Sequence, residues 1–221
     1  MTQNSQAAPH NTDEISATVH PIRQGPATEI IPEEQAYRSS AYALISRLLR
    51  NPPDQPVLDQ VAGFASVDGQ QDDMALAMST LGLAAGTSQP DAVNDEFHAL
   101  FIGIGRGELV PYASWYLTGF LMERPLGRLR DDLAALGFHR QEGVCEPEDH
   151  AAALCEVMAI LIQEGGSLDE QTRFYHDHIA DWLGRFFQDL AEAKSAVFYR
   201  AVGRFGTAFC TLESRYLNMP V

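Results

Sequence analysis

The chain has 221 residues and a formal net charge of −15, with 30 acidic residues against 15 basic ones. This excess of carboxylates argues against general nucleic-acid binding, which requires a basic surface that displaces counterions from the phosphates. It is compatible with a cationic partner, because an acidic surface attracts segments rich in lysine and arginine. With 45% hydrophobic residues, the chain can bury a substantial core in one domain.

The first 31 residues are rich in Gln, Asn, Ser, Thr and Pro and contain few large apolar side chains. Such a segment cannot bury enough apolar surface to offset the entropy of ordering, so we predict a disordered tail over residues 1–31. The tail carries one arginine, Arg23, and lacks the apolar run of a secretory signal or a twin-arginine leader. No stretch of the chain approaches the roughly 18 consecutive apolar residues of a membrane helix. We therefore expect a cytoplasmic protein without stable membrane insertion.

Residues 32–221 show helical periodicity throughout. Pro32 followed by two glutamates predicts the start of the first helix, and Asn51-Pro52-Pro53 predicts its end. Further helices are predicted to begin near residues 54, 74, 90, 125, 147, 167 and 198. The last is the most regular, with Phe198, Val202, Phe205, Phe209, Leu212 and Tyr216 on one face. No segment shows the sustained alternation of a strand, so we predict an all-α domain over residues 32–221, a single irregular bundle of about eight to ten helices.

The most distinctive stretch runs from Asp95 to His150. It contains E-F-x-x-L-F-I-G at residues 96–103, P-Y-x-S-x-Y at residues 111–116 and E-P-x-D-H at residues 146–150. Aromatic residues at helical spacing usually form core, but Trp115 and Tyr116 are adjacent and cannot both face the same way. Asp149 stands at a predicted helix start, where its carboxylate either satisfies the helix terminus or stays exposed for binding.

Little in the sequence points to catalysis. The glycines at positions 103, 105 and 107 lack the spacing and the preceding strand of a dinucleotide-binding loop. Cys145, Glu146, Asp149 and His150 lie close in sequence, but one such cluster without a second ligand group is a weak metal signal. We predict no catalytic residue, no metal and no cofactor, hence a protein that is not an enzyme. The alternatives are a small helical metal-dependent hydrolase using Asp149, His150 and Cys145, or a general helical adaptor.

Taken together, the three motifs resemble those of the TorD/DmsD/NarJ family, and in particular its TorD-like branch. These proteins are cytoplasmic chaperones for maturing molybdenum-containing redox enzymes. The resemblance covers roughly residues 35–216. It implies an all-α protein that binds the twin-arginine leader, and often the body, of an apo-molybdoenzyme catalytic subunit. The chaperone holds this client until the molybdopterin cofactor is inserted, before export.

Two finer expectations come from the same resemblance. The segments G-R-G-E-L-V-P-Y-A-S-W-Y-L-T-G-F-L at residues 105–121 and K-S-A-V-F-Y-R at residues 194–200 are similar to the branch associated with formate dehydrogenases. Clients of the dimethyl-sulfoxide or trimethylamine-N-oxide reductase type, and a client that is not exported, remain open. The family also forms domain-swapped dimers, so the resemblance implies either a monomer or a homodimer.

By matching motif positions, the resemblance assigns ten residues to binding of the client peptide. Asp149 would accept hydrogen bonds from the arginines of the leader, and the aromatic side chains would cover its apolar run. We expect Asp149 and His150 to be exposed, so that replacing both by alanine weakens client binding and leaves helicity and the melting temperature nearly unchanged. The ten residues are Leu100, Phe101, Pro111, Ser114, Trp115, Tyr116, Glu146, Pro147, Asp149 and His150.

Overall fold

The computed structural model describes residues 19–21, 31–70, 72–103, 106–140 and 146–219. Within these ranges the chain forms ten α-helices, which confirms the prediction of an all-α protein. The helices are α1 (Glu33–Arg50), α2 (Gln55–Ala62), α3 (Asp73–Thr87), α4 (Pro90–Phe97), α5 (Ala113–Thr118), α6 (Arg124–Ala135), α7 (Ala151–Gln163), α8 (Leu168–His178), α9 (Leu183–Glu192) and α10 (Phe198–Leu217). A 3-10 turn, Gly63–Ser66, follows α2, and a π-helical segment, His98–Ile102, follows α4.

Four of the ten described helices begin at a residue whose side chain caps the first turn, namely α2, α3, α7 and α8. The carboxylates of Asp54 and Asp72 accept hydrogen bonds from the first turns of α2 and α3. Ser167 and Glu170 form a capping box at the start of α8, where the sequence predicts a helix to begin. These bonds satisfy amide groups that have no partner inside the helix, and so they fix where each helix begins.

Helix α7 is the central element of the core. Leu154, Cys155 and Met158 are completely buried, and the helix is apolar around most of its circumference. Helix α1 packs along α7, while α10 packs against α9 and α3. Phe205 and Phe209 on α10 are each 2% exposed, as the periodicity predicts, but Leu212 is 49% exposed. It lies in a groove of about 940 Å³ between α3, α9 and α10.

A buried ion pair connects three helices of the bundle. Arg38 on α1 donates through Nε to Glu213 Oε2 on α10 at 2.8 Å, and through Nη1 to Gln171 Oε1 on α8 at 2.6 Å. Tyr42 donates its hydroxyl to Glu213 Oε1 at 3.1 Å. Arg38 and Glu213 are 5% and 1% exposed, so the pair is removed from water and depends on both partners.

A short antiparallel strand pair departs from the sequence prediction. Strand β1 (Val19–Pro21) pairs with β2 (Phe138–Arg140), with His20 opposite His139. The strand β1 lies in the predicted disordered tail, whose remaining residues, apart from Ile31, fall outside the described part of the chain. Three-residue strands are too short to show period-two alternation, and only a segment more than a hundred positions away supplies the hydrogen-bond partner. None of the described helices has the length and hydrophobicity of a membrane span.

Candidate functional site

The second and third motifs meet where α5 and α7 begin. Tyr112 and His150 form an antiparallel bridge. The amide of Ala113 donates to the carbonyl of Asp149 at 2.9 Å, and the amide of Ala151 donates to the carbonyl of Pro111 at 2.8 Å. These backbone bonds place P-Y-x-S-x-Y beside E-P-x-D-H, and they position the side chains of both motifs.

Asp149 is 1% exposed, so the expectation of an exposed carboxylate is wrong. Its Oδ2 accepts a hydrogen bond from the amide of Ser114 at 2.9 Å, near the start of α5. The residue before α5, Tyr112, provides no side-chain cap, so Asp149 performs that role from a distant part of the chain. Its other oxygen and the hydroxyl of Ser114 are both buried and have no hydrogen-bond partner among the described residues.

His150 is also buried, with an exposed fraction of 5%, and it caps its own helix. Its Nδ1 accepts a hydrogen bond from the amide of Ala152 at 3.1 Å. Burial lowers the pKa of the imidazole to about 3, and the positive charge of Arg50 contributes in the same direction. The ring is therefore neutral at neutral pH and carries its proton on Nε2, which lies 3.5 Å from Glu146 Oε1.

A cavity of about 360 Å³, here called the first cavity, opens beside this junction. Its walls come from the end of α1, the π-helical segment and the two motifs. Four of the ten predicted peptide-binding residues line it, namely Phe101, Pro111, Glu146 and His150. Further lining residues include Leu49, Arg50, Pro52, Ile102 and Tyr112. The lining combines six apolar residues with six polar or charged ones, so the first cavity offers both apolar contact and hydrogen-bonding groups to a partner.

Glu146 is the carboxylate that faces the first cavity. Its side chain is 33% exposed, and Oε1 accepts a long hydrogen bond of 3.4 Å from the hydroxyl of Tyr112. Burial raises the pKa of Glu146, while Arg50 and the Tyr112 hydrogen bond act in the opposite direction. Because its contacts to Tyr112 and His150 are both long, this carboxylate is able to accept a shorter bond from a cationic donor.

The π-helical segment forms another wall of the first cavity. Phe101 packs edge-to-face against Phe97 and Tyr199, with ring centroids 5.0 Å and 5.4 Å away. Ile102 is 56% exposed at the cavity mouth, whereas Leu100 is completely buried and contributes only to the core. Single turns of π-helix occur frequently at functional sites, because the altered turn redirects side chains.

Two glutamates that the sequence analysis did not assign attach this wall to the connection between α9 and α10. Glu96 accepts hydrogen bonds from the amides of Val197 and Tyr199, both at 2.7 Å, at the start of α10. Glu108 accepts from the amides of Lys194 and Ser195, and these backbone bonds lower its pKa. Glu96 belongs to the first motif, but the amides it caps lie 101 to 103 residues further along the chain. No pattern of neighbouring residues predicts that Glu96 pairs with these amides.

The remaining predicted residues lie outside the first cavity. Tyr116 donates its hydroxyl to Asp189 at 2.8 Å and packs on Trp182. Trp115 is partly buried, with the guanidinium of Arg106 4.6 Å from its ring centroid. Ser114 is fully buried, and Pro147 faces a different cavity. In this conformation the ten residues do not form one continuous groove.

The metal-dependent alternative relied on Cys145, which lies outside the described residues. Over the described ranges, no three His, Cys, Asp or Glu side chains are grouped so that they could hold a metal ion. Asp149 Oδ2 and His150 Nδ1 each accept a backbone hydrogen bond, so those two atoms already serve the helix starts.

Comparison with known proteins gives a consistent family. The sequence model of the family described as nitrate reductase delta subunit matches residues 68–188. The chaperone protein TorD of Vibrio vulnificus is 31% identical over 134 residues, which covers 55% of this chain and 62% of that relative. The TorD of Vibrio parahaemolyticus is 27% identical with the same coverage. The chain therefore matches a little under two thirds of the length of these relatives.

Two further likenesses extend over more of the chain. The TorD of Vibrio atlanticus is 25% identical over 202 residues, which covers 81% of this chain and 94% of the relative. A crystal structure of a candidate redox enzyme maturation protein from Archaeoglobus fulgidus superposes with a TM-score of 0.52 at 15% identity. That match covers 86% of this chain and 99% of the other, and it establishes a similar fold. The names of these relatives denote chaperones and a maturation protein, not catalysts.

Proposed function

Because this chain belongs to the TorD/NarJ family, the family described as nitrate reductase delta subunit, we propose that it is a maturation chaperone for a molybdenum-containing redox enzyme. It binds the apo-form of the catalytic subunit in the cytoplasm, through the twin-arginine leader of that subunit. Relatives named chaperone protein TorD support this activity. The resemblance of residues 105–121 and 194–200 to the branch associated with formate dehydrogenases supports a formate dehydrogenase as the client.

The observation that carries the proposal is the combination of groups in the first cavity. Glu146 provides a partly exposed carboxylate with two long contacts, and Phe101 and Ile102 provide an apolar wall beside it. A leader peptide offers complementary groups, because an arginine guanidinium pairs with a carboxylate and the apolar run covers exposed apolar surface. A cavity of about 360 Å³ accommodates a few side chains, so the rest of the leader lies on the surface around it.

This assignment replaces Asp149 by Glu146 as the acceptor for the leader. Asp149 is buried and already accepts the amide of Ser114, so it positions the site without contacting the peptide. Glu146 belongs to the same motif and is the one that reaches the cavity.

The test is the affinity of a fluorescein-labelled twin-arginine leader peptide for the protein, measured by fluorescence anisotropy beside a scrambled peptide. Glu146→Gln should weaken binding of the leader about tenfold, because it removes one partly exposed charge-assisted hydrogen bond. Ile102→Ser should also weaken binding, because it removes apolar contact surface at the cavity mouth.

Each variant has a matched control elsewhere on the surface. Glu34→Gln removes an exposed glutamate from the first turn of α1, and Leu83→Ser removes an apolar side chain that is 61% exposed on α3. Both controls should bind the leader within about twofold of the unmodified chain. Equal binding of leader and scrambled peptide would favour the general adaptor and overturn the proposal. Comparing leaders of formate dehydrogenase and trimethylamine-N-oxide reductase then identifies the client class.

A further inference from the structure

A second cavity is lined by another residue of the Glu146–His150 loop. Glu146 and His150 line the first cavity, whereas Pro147, between them in sequence, lines the second, which has a volume of about 500 Å³. The loop therefore contributes residues to both cavities. The second cavity is lined further by Met122, Leu126, Arg124, Arg130 and Arg140.

The second cavity is lined mainly by basic residues where it is charged. Arg130 donates through Nε and Nη2 to Glu148 Oε2 at 3.0 Å and 2.9 Å, and Arg140 Nε lies 3.8 Å from Oε1 of the same buried carboxylate. Glu123 also lines the cavity. Counting only residues that the structure describes, the three arginines against Glu123 and Glu148 leave one net positive charge, in a chain whose formal charge is −15.

Arg124 is the source of this excess. Among the described residues it has no ion-pair partner, and it is exposed at the first position of α6. The first turn of α6 contains no acidic residue, and Glu123, the residue before it, neither caps the helix nor forms an ion pair with Arg124. The donors of the Arg124 guanidinium therefore remain available to an anionic partner at the second cavity.

An exposed apolar loop borders the same cavity. Phe120, Leu121 and Met122 are 68%, 49% and 72% exposed. The loop is ordered by a hydrogen bond from the amide of Phe120 to Thr118 Oγ1 at 3.2 Å. Met122 has φ of +59°, a conformation that disfavours a non-glycine residue. The chain thus holds three large apolar side chains in water beside Arg124, where a partner is able to cover them.

We propose that one segment of the client crosses the Glu146–His150 loop, with a cationic group in the first cavity and an acidic side chain at Arg124 in the second. This inference rests on the proposed function. The intervening apolar residues of the segment cover Phe120, Leu121 and Met122. The occupant is thus a peptide with an arginine, an apolar stretch and a carboxylate, in that order or the reverse.

Two observations favour a peptide over a phosphate or a lipid surface. A single net positive charge suits one carboxylate better than a phosphate dianion. Continuity is the second, because one loop supplies residues to both cavities, so that a single segment following the loop is able to contact both. An extended chain advances about 3.3–3.6 Å per residue. The number of residues between the two charged groups of the peptide therefore measures the distance between the two cavities.

The experiment uses fluorescein-labelled synthetic peptides with an arginine pair, an apolar stretch of leucine and alanine, and one glutamate. The glutamate stands four, six, eight or ten residues from the arginines, on either side, and each peptide has a glutamine counterpart. At one spacing, the glutamate peptide should bind about fivefold tighter than its counterpart. Arg124→Glu should abolish that preference. Arg128→Glu, the matched control one turn further along α6 and outside the cavity lining, should retain it.

The outcomes separate this inference from the proposed function. If no arginine-pair peptide binds better than a scrambled one, both are overturned. If the peptides bind and Glu146→Gln weakens them, but no spacing shows a preference for glutamate, only the present inference is overturned. Equal effects of Arg124→Glu and Arg128→Glu would also overturn it, because they would reveal general surface electrostatics. Binding of phosphatidylglycerol vesicles or inorganic phosphate through Arg124, without a glutamate preference, would assign the cavity to another anion.

Discussion

Replacing Asp149 by alanine tests whether this residue contacts the client or maintains the structure. The carboxylate is 1% exposed and accepts the amide of Ser114 at 2.9 Å, so its removal leaves a buried amide at the start of α5 without an acceptor. We therefore expect Asp149→Ala to destabilise the fold, contrary to the expectation derived from the sequence. Weaker client binding should follow only because the α5 and α7 junction is disturbed.

The size of the effect follows from the contacts. Loss of a hydrogen bond to a charged group costs about 1.5–3 kcal/mol, and loss of a helix cap costs about 0.5–2 kcal/mol. Both ranges describe the loss of the same hydrogen bond, so the two costs are not added. The buried oxygen that lacks a partner disappears as well, which offsets part of the cost. We expect a loss of about 2–3 kcal/mol in the free energy of unfolding, or a fall of about 4–12 °C in Tm for a chain of this size.

Urea unfolding followed by circular dichroism and tryptophan fluorescence measures this loss. The matched control is Asp91→Ala, which removes an exposed acid from the first turn of α4 and should change the free energy of unfolding by less than about 0.5 kcal/mol. Asp149→Asn retains an oxygen acceptor and should cost about 1 kcal/mol. If the free energy of unfolding of Asp149→Ala lies within about 0.5 kcal/mol of that of the unmodified chain, the capping role is refuted. The interpretation of Asp149 as an exposed binding residue would then be favoured.

Four further substitutions test other parts of the structure by urea unfolding. Ser114→Ala should leave the free energy of unfolding unchanged or raise it by up to about 1 kcal/mol, because the buried hydroxyl has no partner among the described residues; a clear loss would show that it is bonded. Phe209→Ala should cost about 3–5 kcal/mol, because the ring is 2% exposed, and retained stability would show that α10 is not core. Arg38→Ala should cost about 3–5 kcal/mol, because it leaves Glu213 buried without its cation; a loss below 1 kcal/mol would refute this. The folded-state pKa of His150 is about 3, below its unfolded value near 6.5. Its contribution to the free energy of unfolding is therefore fully present above pH 6.5 and is lost as the pH falls from about 6.5 towards 3. His150→Asn retains a capping acceptor but has no imidazole to protonate. Over that range, its free energy of unfolding should therefore fall by up to about 1.4 kcal/mol less per pH unit than that of the unmodified chain. Identical pH profiles of the two proteins would contradict the burial of the imidazole.

Much of the fold was predictable because its causes are local. Ser167 and Glu170 lie within one helical turn of each other, so their capping box is visible in the sequence and appears in the structure. The apolar face of α10 contains Phe205 and Phe209 at a helical spacing, and both are buried. Leu212 continues the same spacing yet is half exposed, because neighbouring helices leave a groove at that level. Periodicity predicts which face turns inward but not how far the covering helices extend.

The candidate site was predictable only as a set of motifs. Phe101, Pro111, Glu146 and His150 come together in the first cavity, while Trp115 and Tyr116 pack elsewhere. Within E-P-x-D-H, the sequence does not distinguish the carboxylate that faces the cavity from the one that caps a helix. That distinction depends on an amide 35 residues away.

The sequence by itself determined the helices, the family and the motifs that supply the candidate site, because capping, periodicity and motif spacing depend on residues close in the chain. Only the tertiary structure decided which side chains reach the cavity. Burial of Asp149 and His150, the attachment of Glu96 to α10 and the position of Arg124 beside a second cavity all depend on contacts between distant segments. A side chain becomes available to a partner only if the folded chain leaves it without a stronger internal bond.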